Sequence, residues 1–161
     1  MTVRRSIAAA AVLLTAPVLS SCGVNFGAQT DQPYNPAVGV DNRDGSVDVL
    51  NALIVSGTNG SGTVVATLVN NDQQQKDTLS GVTGQGKDKN VQVKVSGPTE
   101  ITPGGLLNLA TKGGISATGK RIVPGNFVTL QFTFQNGDAV TVDAPVVSQS
   151  NPDYSDVKVP S

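Results

Sequence analysis

The chain has 161 residues, with 11 Lys and Arg against 12 Asp and Glu, no His, one Cys and one Met. Without imidazole, Ser-His and Cys-His nucleophilic machinery is excluded; with Cys22 and Met1 the only sulfur-bearing residues, the soft and nitrogen ligands of Cu(I), structural zinc and iron–sulfur sites are missing after residue 22. No cofactor is expected. A nearly balanced, mildly acidic chain offers no summed attraction to nucleic acid phosphates or anionic headgroups, so no nucleic acid partner is expected either.

The first element is a leader. Arg4 and Arg5 form a basic start, Ile7 to Leu19 is an apolar run rich in Ala and Leu, and small residues follow at Ser20 and Ser21. This is the layout of a secretory signal peptide over residues 1–21. The run stops short of the roughly 20 apolar residues that a spanning helix needs. Leu19-Ser20-Ser21-Cys22 resembles the bacterial lipobox, in which a diacylglyceryl group is joined to the Cys sulfur and the leader is cut immediately before it. That chemistry requires a thiol, and a lone Cys in an exported chain has no internal disulfide partner. The resemblance implies a lipoprotein held to the extracytoplasmic face of the cell membrane through Cys22. Arg4-Arg5 leaves the twin-arginine route open beside the general secretory one. Loss of the leader leaves 9 basic against 12 acidic residues, net −3, so the lipid must supply the membrane attachment, at about 0.8 kcal/mol per buried methylene.

Residues 22–40 read as a lipidated Cys and a flexible tether, rich in Gly, Gln, Asn and Asp as far as Asn35, with Pro33 and Pro36 closing the stretch. Such a linker spans on the order of 20 Å. Residues 41–147 are one domain, and 148–161, with Pro152 and Pro160 and no apolar periodicity, read as a loose tail.

Within the domain no stretch has helical spacing. Val91, Val93 and Val95 alternate with polar residues, as do Val128, Leu130, Phe132 and Phe134; these are half-buried strands. Val47 to Val55 and Thr63 to Val69 carry apolar residues on both faces, as strands covered on both sides do. Shorter strands are expected at Thr78–Val82, Leu106–Ala110, Ile115–Ala117 and Ala139–Val147. Many short strands set off by Gly, Pro and Asn indicate an all-β sandwich or barrel. Asn136-Gly137 invites a two-residue turn, but that would place Phe132 across from Thr141. A three-residue loop, Gln135-Asn136-Gly137, instead pairs Phe132 with Val140 and Leu130 with Val142, and it is preferred because a one-residue slip turns every side chain to the wrong face. Pro145 marks an edge or the end of the last strand.

Asp41 to Ser46 lacks the acidic first position and the twelfth-position Glu of an EF-hand and reads as a tight turn. Gly81 to Gly86 has the wrong spacing for a dinucleotide fingerprint, and Gly113 to Gly119 is out of step with a nucleophile elbow; both read as strand connections, and Asn59-Gly60-Ser61 as a loop.

Six segments in order resemble the PCu(A)C family of periplasmic copper chaperones, and more closely its actinobacterial lipoprotein relatives: Leu50–Val55, Ala66–Asn71, Asp77–Val82, Ile101–Gly105, Pro124–Phe134 and Val140–Val146. The resemblance implies a cupredoxin-like Greek-key sandwich. It also implies where copper ligands would stand: the family's first His falls on Lys94, and its His-x-Met pair on Ser116 and Thr118. A Lys ammonium has no lone pair and two hydroxyls are weak ligands, so the metal site reads as erased. Three roles follow: a non-catalytic binding or scaffold module with an envelope protein partner; an accessory in copper delivery to an envelope oxidase; or a site for a small anion or sugar at Lys94, Ser116 and Thr118.

Overall fold

A computed structural model describes residues 38–57, 60–112 and 114–160. The leader, the lipobox and the tether as far as residue 37 lie outside the described residues. Ten strands form from the Val- and Thr-rich runs, whose branched side chains suit a pleated, half-buried surface. They are β1 (Val40–Asn42), β2 (Val47–Ser56), β3 (Ser61–Asn70), β4 (Asp77–Gly84), β5 (Gln92–Val95), β6 (Glu100–Ile101), β7 (Leu106–Asn108), β8 (Ile115–Thr118), β9 (Phe127–Phe134) and β10 (Ala139–Ser148). The strand order is β5-β8-β3-β2-β10-β9-β4-β6, with β1 also on β2 and β7 also on β3. Curling of this sheet brings Val64, Ala66 and Leu68 of β3 into one core cluster with Leu130 and Phe132 of β9 and Val140 and Val142 of β10.

The β9–β10 hairpin has the register that side-chain faces demanded. Phe132 pairs with Val140 and Leu130 with Val142. Phe134 N–H donates to the Asp138 carbonyl across the three-residue loop, and Gly137 takes φ +97°, which an L side chain rarely adopts.

In β2 the apolar residues on both faces have a second cause. A bulge between Leu50 and Leu53, with Asn51 at φ +50°, shifts the core-facing set from Val47 and Val49 to Ala52 and Ile54. An extra residue reverses the alternation downstream, so no single period describes the strand. Leu53 and Val55 on the opposite face are buried as well.

Four boundaries differ from expectation. The tether does not reach residue 40: Val40 pairs with Ala52, and Gly39 N–H donates to Asn51 Oδ1 at 3.1 Å. The strand expected at Leu106–Ala110 ends at Asn108, whose Oδ1 accepts the Ala110 N–H at 2.9 Å and opens the single helical turn α1 (Leu109–Lys112). Pro145 does not end the last strand. It is the last partner of β9, at Phe127, after which Val146–Ser148 run parallel to β2; lacking an N–H, proline suits the point where pairing changes hands. Finally, 149–160 is not a loose tail. Ser61 Oγ donates to the Pro160 carbonyl at 2.9 Å, Thr63 Oγ1 to the Lys158 carbonyl at 2.6 Å and Gln149 Nε2 to the Val157 carbonyl at 2.7 Å. These donors satisfy carbonyls that an irregular, Pro-containing segment cannot pair with itself.

Candidate functional site

β8 lies between β5 and β3, and its register sets the polar positions in rows. Ser116 stands between Lys94 of β5 and Thr63 of β3, and Thr118 stands between Gln92 and Ser61. Residues two apart on a strand share a face, so Lys94, Ser116, Thr118 and Thr63 are all on the side away from the core, while Ile115 and Ala117 are buried in it. The structure thus brings Lys94 and Ser116 together as direct cross-strand neighbours and sets Thr118 one pair further along.

The C-terminal segment crosses this face. Between it and the β5–β8 ribbon is an open groove of about 930 Å³, lined among others by Thr63, Lys94, Ser96, Ser116, Asp156 and Lys158; Thr118 lies outside it. Gly114 shapes one wall. At φ +113° it donates no bulk, and a Cβ there would lie 2.5 Å from the Gly97 nitrogen, so only glycine lets Ser96 N–H reach the Gly114 carbonyl at 2.6 Å. Chemically the groove offers two ammonium groups, three hydroxyls and one carboxylate, a hydrogen-bonding set without a soft or imidazole ligand. Among the described residues there is no group of three or more His, Cys, Asp or Glu placed to hold a metal ion. Asp156 and Lys158 were missed by sequence reasoning because nothing in the spacing of a Pro-containing tail says which strand it will cross. Leu19, Ser20, Ser21 and Cys22 lie outside the described residues.

Polar side chains around the β1–β2 turn serve structure. Asp41 Oδ1 accepts the Asn51 N–H at 2.7 Å, and Asn42 Oδ1 caps the turn at Asp44 N–H at 2.8 Å. Asp48 is nearly buried, taking Arg43 at 3.2 Å and the Asn71 amide at 2.7 Å.

No protein-family model and no curated protein matches the chain. Solved structures do. The apo PCuAC domain from PmoF1 superposes with a TM-score of 0.55 at 18% identity, covering 68% of this chain and 99% of that one. This domain is PCuAC-like in fold. The copper-bound PCuAC domain from PmoF2 gives 0.54 at 18% identity over 68% of this chain and 98% of that one, and its apo form 0.52 at 16% over 68% and 95%. At these identities the likeness is one of fold: the cupredoxin-like sandwich expected from the order of motifs is the fold of the PCuAC-like domain. Within it Asn70, at the end of β3, is buried and holds the β3–β4 loop, its Nδ2 donating to the Gln75 carbonyl at 2.8 Å and its Oδ1 accepting the Asp72 N–H at 3.0 Å.

Proposed function

We propose that this chain is a lipid-anchored lipoprotein of the extracytoplasmic membrane face. Its PCuAC-like domain is a non-catalytic binding or scaffold module for an envelope protein and does not itself bind copper. The observation that carries this reading is the pairing of a PCuAC-like fold with Lys94, Ser116 and Thr118 on one outer face, at the places where the family resemblance puts His and Met. An ammonium and two hydroxyls give Cu(I) no soft ligand. The anchor rests on Leu19-Ser20-Ser21-Cys22 following a short apolar leader.

Two further readings have observations of their own. One of the structural neighbours is described as copper-bound, which favours an accessory role in copper delivery, with the domain docking on a copper carrier or an oxidase. The groove beside Lys94 and Ser116 also supplies enough donors for a small anion or sugar. A Cu(I) competition titration of residues 31–161, which lack Cys22 and Met1, against a chromophoric chelator separates the first reading from a metal-binding one. No transfer of copper is expected; stoichiometric removal of copper from the chelator would return the domain to metal binding.

A further inference from the structure

Net charge conceals a local asymmetry at one end of the sheet. Beyond β4 the chain makes a 3-10 turn, Gly86–Asp88, and this loop meets the connection from β8 to β9. The joint is a half-buried ion pair: Asp88, whose side chain is fully buried, faces Nε of the partly exposed Arg121 through Oδ1 and accepts the Thr129 N–H through Oδ2 at 2.9 Å. Arg121 Nη2 donates to the Phe127 carbonyl at 3.0 Å, and Nη1 takes part in neither contact. Both loops are therefore fixed at their base by charge-assisted bonds.

Between them is a cleft of about 470 Å³ lined by Lys87, Asp88, Asn90, Gly119, Lys120 and Arg121, along with Val91. Asp88 is spent on Arg121. Lys87 comes from the β4–β5 loop and Lys120 from the β8–β9 connection, and neither forms an ion pair among the described residues. Asp143, on the neighbouring strand β10, accepts the Thr129 hydroxyl at 2.6 Å. Of the nine Lys and Arg that follow Cys22, three thus line this cleft, in a chain whose net charge after the leader is negative. Unpaired ammonium groups gathered in a concave site raise the local concentration of anions.

We propose that this cleft binds a phosphate group. Lys87 and Lys120 grip its oxygens from two sides as point charges, and the Asn90 amide supplies a directed donor, while Arg121, held by Asp88 and the Phe127 carbonyl, fixes the wall that carries Lys120. The phosphate is carried either on a soluble phosphomonoester or on a phospholipid headgroup. The site is separate from the Lys94 groove, and the proposal does not depend on the lipid anchor or on the copper reading.

The test is residue-resolved. The ¹⁵N-labelled full chain is titrated at constant ionic strength with glycerol 3-phosphate, and separately with monomeric dihexanoylphosphatidylglycerol, with dihexanoylphosphatidylcholine as the zwitterionic control. Saturating amide shifts confined to 86–90 and 119–121 are expected, weakened about tenfold or more by K87A/K120A and left in place by K94A. Both variants change exposed side chains, and unchanged shifts elsewhere in their spectra establish that they fold. Saturation by the phosphomonoester alone identifies a soluble ligand, and saturation by phosphatidylglycerol alone a headgroup. Absence of saturation with either probe, or shifts spread over all lysines and indifferent to K87A/K120A, would overturn the proposal.

Discussion

Asp138 accepts two hydrogen bonds from Ser46, one from the backbone N–H at 3.1 Å and one from the hydroxyl at 2.5 Å, across 92 residues of sequence. The pair ties the turn between β1 and β2 to the β9–β10 hairpin. The Ser46 hydroxyl first, and then its N–H, hold the Asp138 carboxyl below its ordinary value. A depressed folded-state pKa stabilises the fold above the unfolded value, about 3.9, and that contribution is lost as pH falls through the lower folded value. Asp72, lowered by the N–H groups of Gln74 and Gln75, acts in the same direction. Urea midpoints measured from about pH 7 down to pH 2 should therefore fall at the acid end. Asp138→Asn should lower the midpoint at neutral pH and flatten part of the acid slope; parallel curves for the two proteins would remove this linkage.

Phe132 and Phe127 lie on one strand and differ in face. Phe132 is 0% exposed and Phe127 54%. Phe132→Ala should cost roughly 3–5 kcal/mol and Phe127→Ala within about 0.5 kcal/mol, read by equilibrium unfolding in urea. Equal costs would mean that the faces of β9 are assigned wrongly.

The C-terminal segment owes its position partly to the Thr63 hydroxyl. Thr63→Val keeps the β-branched shape and removes the donor to the Lys158 carbonyl, with an expected loss of about 0.5–1.5 kcal/mol. Faster hydrogen exchange and proteolysis confined to 155–160 should accompany it. If protection there is unchanged, some other contact holds the segment.

Cys22→Ala should release the protein from the membrane fraction into the medium, or leave it with the leader uncut, in a fractionation of cells. Membrane retention of a correctly processed Cys22→Ala form would refute lipid anchoring.

Local pattern carried much of the architecture. Alternation at Val128, Leu130, Phe132 and Phe134 already says which side is core, because neighbours two apart on a strand always share a face. The hairpin register was legible for the same reason, although Asn136-Gly137 suggests a shorter turn. β2 was legible only in part, since the bulge at Asn51 switches its face without any change in composition. The lack of imidazole, thiol and thioether beyond Cys22 is likewise a property of the sequence alone, because a chain cannot fold into place ligands it does not contain.

What tertiary structure decided are the relations between segments that no period connects. Lys94 becomes the neighbour of Ser116 because β5 is paired to β8, and Thr63 joins their row because β8 is paired to β3. Lys87 and Lys120, 33 positions apart in the sequence, meet because β4 and β9 are ladder partners and Asp88 reaches Arg121. The physical reason is one of range: the face of a residue is set by its immediate neighbours along the chain, whereas strand order, and with it every cleft on the surface, is set by how the whole sheet closes over a common core.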